Sequence, residues 1–301
     1  MLSFVRSTVG IAICLAAPLL HAESTAADTL EKIRQTHTIT IGNREAARPF
    51  SFLNDQKQPV GYSIDLCLKA IDQIKKDLKL PELKVQYVTV SGAERIPKLQ
   101  EGAIDIECGS TTNTKARQEK VDFSYTIFVA GMKLLTRTNS GVANHVALAG
   151  KPVALSKGTT SEKLFTQLRD SELGSMKLVQ FPSNLDAIKA LESGSVAAFP
   201  QDDVLLTGLL STRADASRFA LVGDYLSVEP YAIMVRKSDD RLLAIIDKSL
   251  KQIYASGEIN AIYERWFNTE TLKLPMSRLM RDSVMRPSKE PGIARVLGYS
   301  L

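Results

Sequence analysis

The strongest constraint on the fold is an alternation of β-rich and amphipathic stretches that starts at Thr38 and starts afresh near Pro152. Thr38 to Ile41 reads as a strand. Ser63 to Leu78 carries Ile64, Leu66, Leu68, Ile71 and Ile74 at helical spacing, Lys84 to Val90 alternates as a strand, Glu94 to Gln100 fits a short helix, and Ala103 to Ile106 reads as a strand. The second cycle predicts strand Pro152 to Leu155, helix Ser161 to Leu168, strand Lys177 to Phe181, helix Leu185 to Leu191 and strand Ser195 to Phe199. Repeated strand, helix, strand units imply parallel pairing. The expected fold class is therefore α/β, with two similar lobes, each a mostly parallel sheet flanked by helices.

Two extended runs, Phe128 to Leu135 and Pro230 to Val235, are placed to carry the chain between lobes and back. The amphipathic helix Asp240 to Tyr254 then returns to the first lobe. These readings divide the chain into lobe one, residues 23–131 plus 231–301, and lobe two, residues 132–230, with Met276, Leu279, Met280 and Met285 expected to cover lobe one. An internal echo supports the pairing of lobes. Leu99-Gln100-Glu101-Gly102 and Leu191-Glu192-Ser193-Gly194 both end helices, a role suited to glycine. Ser110 and Asp202 each fall eight residues past the glycine, at equivalent strand ends, where ligands bind in open α/β sheets. Generic helix-to-strand punctuation would produce the same parallel.

The first residues place the chain in a compartment. Arg6 precedes a predominantly apolar run from Val9 to Ala22, and polar sequence starts at Glu23, the pattern of a secretory signal peptide over residues 1–22 cleaved near Ala22. The run is short for a bilayer span. Ile13 occupies the position before Cys14 where lipidation needs a small residue, so the mature chain is expected free in the periplasm. The 301-residue chain is 44% apolar, enough for two cores. Its formal charge of +5 falls by one when Arg6 leaves and includes no dense basic tract, so nucleic acid is not an expected partner. Cys67 and Cys108 remain after cleavage. Export permits one bridge between them, and two small buried apolar side chains would equally suit the composition.

The chemistry concentrates at the strand ends. After Ile106, Gly109 allows close backbone approach, Ser110 and Thr112 offer hydroxyls, and Asn113 or Thr114 can cap a short helix. Arg117 in the first turn of that helix opposes its dipole, which makes sense if a carboxylate sits between them and accepts a bidentate contact. A capped surface turn with a solvated arginine is the plainer account. Between strand and helix in the second cycle, Thr159 and Glu162 form a capping box, while Ser156 and Thr160 keep spare hydroxyls. Asp202-Asp203 is a carboxylate pair suited to an ammonium, or to capping the next helix. Arg44 and Arg95 lie near the same sheet edge as Ser110, and three converging arginines require a ligand with more than one negative group.

Catalytic and metal signatures are sparse. His37 and His145 are the mature histidines, and no HExxH, GxSxG, P-loop or Cys/His metal spacing appears. No catalytic residue, metal or cofactor is expected, and binding accounts for the aspartate pair more economically than acid/base catalysis.

Several runs carry a resemblance: Gly42-Asn43-Arg44-Glu45, Arg48-Pro49-Phe50-Ser51-Phe52, Gly61-Tyr62-Ser63, Arg95-Ile96-Pro97, Cys108-Gly109-Ser110-Thr111-Thr112-Asn113, Ser124 to Val129, Ser156 to Glu162, Leu191 to Gly194 and Asp202-Asp203. In this order they resemble the family-3 solute-binding proteins, and within them the periplasmic glutamate/aspartate-binding receptors of ABC importers. The resemblance implies a type II periplasmic-binding-protein fold, two lobes joined by two hinge strands that close on an amino acid. It implies a monomer that delivers glutamate or aspartate to a membrane permease and its ATPase. By the same resemblance, Arg117 with Thr112 and Thr159 would hold the α-carboxylate, Ser110 and Asp202 the α-ammonium, and Arg44 and Arg95 with Ser156 the side-chain carboxylate. Two positions depart from the family. Gly92 stands where a serine is usual, with Ser91 beside it, and Asn184 stands where a histidine is usual. Both leave the preference between glutamate and aspartate open. The same fold also houses dehydratase-like enzymes, which would use Asp202 or Asp203 as acid or base, and ligand sensors for membrane receptors.

Overall fold

The computed structural model describes residues 28–292, so the expected signal peptide lies outside the described residues. The strands are β1 (Thr38–Asn43), β2 (Ala46–Ala47), β3 (Ser51–Leu53), β4 (Pro59–Val60), β5 (Lys84–Thr89), β6 (Ile106–Glu107), β7 (Val121–Arg137), β8 (Pro152–Ser156), β9 (Lys177–Phe181), β10 (Ala198–Asp202), β11 (Phe219–Val222) and β12 (Val228–Arg236). The helices are α1 (Thr29–Thr36), α2 (Tyr62–Leu78), α3 (Arg95–Gln100), α4 (Lys115–Gln118), α5 (Thr160–Ser171), α6 (Asn184–Ser193), α7 (Asp203–Leu210), α8 (Asp240–Ala255), α9 (Glu258–Phe267) and α10 (Arg278–Met285).

The two cycles give the same topology twice. β1 pairs in parallel with β5 on one side and β6 on the other, and β8 pairs in parallel with β9 and β10. In each unit the first strand is therefore central, and the third lies against a long antiparallel strand, β12 for β6 and β7 for β10. β7 and β12 pair with each other from Val121 to Gly131, while the rest of β7 serves β10 and β11. One continuous strand thus belongs to both sheets, which is how the chain passes between the lobes. β1 is buried along almost its whole length, as a parallel strand covered on both faces should be.

The apolar residues segregate accordingly. One core joins α2, α8 and α9 to the first sheet through Phe50, Tyr62, Phe128, Tyr231, Tyr263 and Phe267, whose rings meet edge-on or stacked, as near as 4.3 Å between the centroids of Tyr263 and Phe267. Separate cores around Phe199 and Phe165 fill the second lobe. Val204 and Leu205 of α7 pack into the first core, so the lobes are in contact beside the hinge strands. Cys67 of α2 and Cys108, just past β6, form a disulfide, which settles the alternative that the sequence left open and ties the loop after β6 to a helix.

Two strands differ from their expected bounds. Ala103 and Ile104 donate backbone N–H groups to Lys98 at the end of α3, so β6 starts only at Ile106. Ser195 and Val196 likewise donate to Ala190, which delays β10 to Ala198. β10 then runs on through Pro200, which lies opposite Leu134 of β7, while β8 is paired with β10 only at Ala198. Beyond α9 the chain stays on lobe one. Met280 is buried and Leu279 packs on Val129, whereas Met285, expected to be a covering residue, is 70% exposed. The carbonyls of Ser288 and Lys289 accept from Thr126, Asn113 and Gln118, anchoring the tail beside β7 and the loop after β6.

Candidate functional site

All six parallel strands of the two units end around one narrow cavity, with about 290 Å³ of empty space. Arg44 follows β1 and Arg95 opens α3 after β5. Ser110, Thr112 and Arg117 follow β6, Thr159 and Thr160 follow β8, Asn184 follows β9, and Gln201 and Asp202 end β10; Leu205 completes the lining. The carboxyl ends of the strands are where an open α/β sheet exposes helix N-termini and unpaired backbone groups. A wider, open groove near α1 and the end of β12 is lined by cations that already have carboxylate partners, Lys32 with Asp105, Lys237 with Asp122 and Arg241 with Asp28.

Thr114 caps α4 by accepting from the N–H of Arg117, so the arginine stands on a helix start as the sequence predicts. Its guanidinium donates to the Thr112 carbonyl at 2.8 Å and across the cleft to the Gly158 carbonyl at 2.9 Å. Arg95 also reaches Gly158, at 3.2 Å, and is held from behind: Nη1 donates at 2.6 Å to the Thr111 hydroxyl, which donates at 2.8 Å to the buried Glu107 carboxylate. Gly109 has a different reason from the one its sequence suggests, because a Cβ there would collide with Glu107 Oε1 rather than with a ligand. Arg44 donates from Nε to the Val90 carbonyl.

Three buried guanidiniums in one cavity disfavour one another. Desolvation, with repulsion from Arg95 second, pushes Arg44 down to about 10 and Arg117 down to about 9. Arg95 is itself lowered by burial, against the attraction of Glu107. Asp202 faces them from the other wall. Burial and then the Glu229 carboxylate raise it well above its ordinary 3.8, although its Oδ2 accepts from the Tyr231 hydroxyl. Asp202 Oδ1 and Arg95 Nε are buried without a hydrogen-bond partner among the described residues, an arrangement that costs stability unless something fills it.

The aspartate pair is divided between two tasks. Asp203 accepts from the N–H groups of Gly131 and Val204 and from the Tyr225 hydroxyl, away from the cavity. Asp202 stands at the N-cap of α7 without capping it. Thr159 caps α5, and Glu162 accepts from the N–H of Gly158 rather than of Thr159, so the capping box is shifted by one residue. Two expected site residues lie off the cavity lining. Ser91 is spent on α3, accepting from Glu94 N–H while Glu94 accepts from Ser91 N–H. The Ser156 hydroxyl donates to Asn184 and so acts one residue back from the cavity. Gln201, Leu205, Glu107 and Thr111 were not anticipated. Gln201 adjoins the aspartate pair and Thr111 lies within the hydroxyl run, whereas nothing local marks Leu205.

Residues 39–269 match the family described as bacterial extracellular solute-binding proteins, family 3. The chain is 40% identical over 289 residues to the L-glutamate/L-aspartate-binding protein of Pseudomonas aeruginosa, covering 94% of this chain and 95% of that one. It is 35% identical over 290 residues to the glutamate/aspartate import solute-binding protein of Escherichia coli K12, covering 95% and 96%. A solved mutant of ArgBP from T. maritima superposes with a TM-score of 0.72 at 26% identity, over 80% of this chain and 99% of that one. These relatives are binding proteins and not enzymes, which sets the dehydratase alternative aside. With its two βα units, shared hinge strand and cavity at the strand ends, the chain belongs to the family-3 bacterial extracellular solute-binding proteins.

Proposed function

We propose that the chain captures an acidic L-α-amino acid, glutamate or aspartate, in the periplasm and presents it to the permease and ATPase of an ABC importer, acting as a monomer. The observation that carries this reading is the placing of Arg44, Arg95 and Arg117 in one desolvated cavity opposite a buried Asp202 oxygen without a partner. A molecule with two carboxylates and one ammonium satisfies every one of those groups, and a neutral or basic amino acid leaves a cation or two uncompensated. Arg117 with Thr112 and the start of α5 at Thr159 take the α-carboxylate, Asp202 and Ser110 take the ammonium, and Arg44, Arg95 and Asn184 take the side-chain carboxylate. The lobes, 23–131 plus 231–301 and 132–230, close by hinging where β7 and β12 cross between them, with the ligand favouring closure because it touches both walls. Isothermal titration of ligand-stripped protein tests this. Glutamate and aspartate are expected to bind far more tightly than glutamine or arginine, and tight binding of arginine or glutamine with none of either acid overturns the reading.

A further inference from the structure

Gln201 is buried in β10, one residue before Asp202, and its orientation follows from a donor that cannot be reversed. The backbone N–H of Asp202 can only donate, and it donates to Gln201 Oε1 at 3.0 Å. That bond identifies the oxygen of the amide and leaves Nε2 as the donor at the other corner. Nε2 donates at 3.1 Å to Asn184 Oδ1, which also accepts from the Ser156 hydroxyl at 2.7 Å. Asn184 Oδ1 thus has both acceptor positions filled by buried residues. What remains of Asn184 for the cavity it lines is its NH2, which has no hydrogen-bond partner among the described residues.

We propose that Gln201 is a positioning residue that sets the polarity of Asn184, and through it the discrimination between carboxylate and carboxamide side chains. An asparagine free to turn over could show a ligand either its oxygen or its nitrogen. Here the Asp202 N–H, relayed through two amides, permits only the nitrogen. Arg44, which lines the same cavity, is also a donor without acceptor capacity. A ligand carboxylate accepts from both; the nitrogen of a glutamine or asparagine side chain meets N–H groups on both sides, and a site that leaves polar groups unpaired rejects its occupant strongly. The Ser156 hydroxyl, donor and acceptor alike, can bond either end of the Asn184 amide, so the polarity is set by Gln201. Asp202 then serves twice, by its carboxylate in the cavity and by its N–H as the fixed end of the chain of amides.

This inference rests on the acidic-ligand reading above, and the test separates the two. The mature protein and its Gln201→Met and Ser156→Ala variants are stripped of ligand, checked for folding by thermal unfolding, and titrated with glutamate and with glutamine. With the relay cut, Asn184 can turn, so Gln201→Met is expected to weaken glutamate about tenfold while glutamine stays level or tightens. Ser156→Ala is the control: it removes a bond that suits either orientation of Asn184, so both ligands should weaken by a similar factor. Equal weakening of both ligands in Gln201→Met makes Gln201 a structural residue and overturns the proposal. Should Gln201→Met fail to fold, the same ratio measured on Gln201→Leu decides between the two outcomes. A parent protein that prefers glutamine overturns the acidic-ligand reading, and this inference with it, before any variant is compared.

Discussion

The loops after β6 and after β10 occupy equivalent places in the two lobes, and they are built differently. Both follow a helix that ends on a glycine of left-handed φ, Gly102 at 76° and Gly194 at 80°. After β6, a strand of two residues, the chain opens into a long loop. That loop is tied down by the Cys67–Cys108 disulfide, by the bonds of Thr111 and Asn113 to β12, by the carbonyl of Lys289, and by Glu107 behind Thr111. After β10, a strand of five residues leads directly into α7, and Asp202 is placed by the strand register opposite Met132 and by the Tyr231 hydroxyl. Lobe one therefore places Arg117, and the Thr111 that holds Arg95, through a cross-linked loop, while lobe two places Asp202 at the end of a paired strand. A loop with few ladder bonds of its own needs such ties to hold a buried guanidinium in place; an aspartate on a paired strand is held by the register.

The largest effect that bears on this contrast is the disulfide. Closing a loop of 41 residues contributes about 4 kcal/mol on the chain-entropy account. Cys67→Ser with Cys108→Ser should lower unfolding stability by an amount of that order, read as a shift of the denaturant midpoint at constant slope. It should also weaken ligand binding, because the arginine-bearing loop loses its anchor. Stability lost with affinity untouched would show that backbone bonding to β12 alone preforms the loop.

Next comes Arg117→Ala. It removes a charge-assisted contact to the α-carboxylate, so affinity for glutamate should fall about a hundredfold or more, with melting temperature unchanged or slightly raised as repulsion from Arg95 is relieved. Calorimetric titration beside a thermal scan measures both. Undiminished affinity would return Arg117 to the role of a capped-turn arginine that merely bridges to Gly158.

How much of this was legible in the sequence follows from what each feature depends on. The parallel units, the crossing strands and Arg44, Arg95, Arg117 and Asp202 could be read because periodicity and strand-end position are local properties. The bounds of β6 and β10 were not, since both turn on helix carbonyls capturing N–H groups that strand propensity assigns to the sheet. Gln201 and Glu107 read as ordinary interior residues of β-rich sequence, and their parts depend on Asn184 and Thr111 being near in space. Ser91 adjoins the expected position in sequence, and its hydroxyl accepts from the Glu94 N–H just before α3.

A smaller effect tests how the two half-sites meet. A Cβ on Gly92 would lie 2.6 Å from the Lys157 carbonyl oxygen, and one on Gly158 2.5 Å from the Gly92 carbonyl oxygen, so backbone touches backbone across the cleft. Gly92 has an ordinary φ, whereas Gly158 sits at 77°, which makes Gly92→Ala the cleaner probe. Overpacking of this kind costs about 1–3 kcal/mol and is felt only when the lobes are closed. Gly92→Ala should therefore weaken glutamate about tenfold without loss of thermal stability, and enlarge the ligand-bound radius of gyration in X-ray scattering. Unchanged affinity would mean that closure stops short of this contact in solution.

The smallest effect concerns protons, and its sign separates Asp202 from the arginines opposite. Burial and Glu229 raise the Asp202 carboxyl well above 3.8. A carboxyl raised by folding binds its proton more tightly in the native than in the unfolded chain, so its contribution to ligand-free stability is greatest at and below the ordinary carboxylate range and falls as pH climbs from there towards the raised value. A ligand ammonium favours the ionised form. Binding within that window should thus release up to about one proton, and affinity should rise with pH until the carboxyl is ionised without help. Titration at one acidic pH in buffers of different ionisation enthalpy counts the protons. Asp202→Asn should abolish the release as well as weaken binding, and release that persists in that variant would show that Asp202 is not the group that gives up the proton.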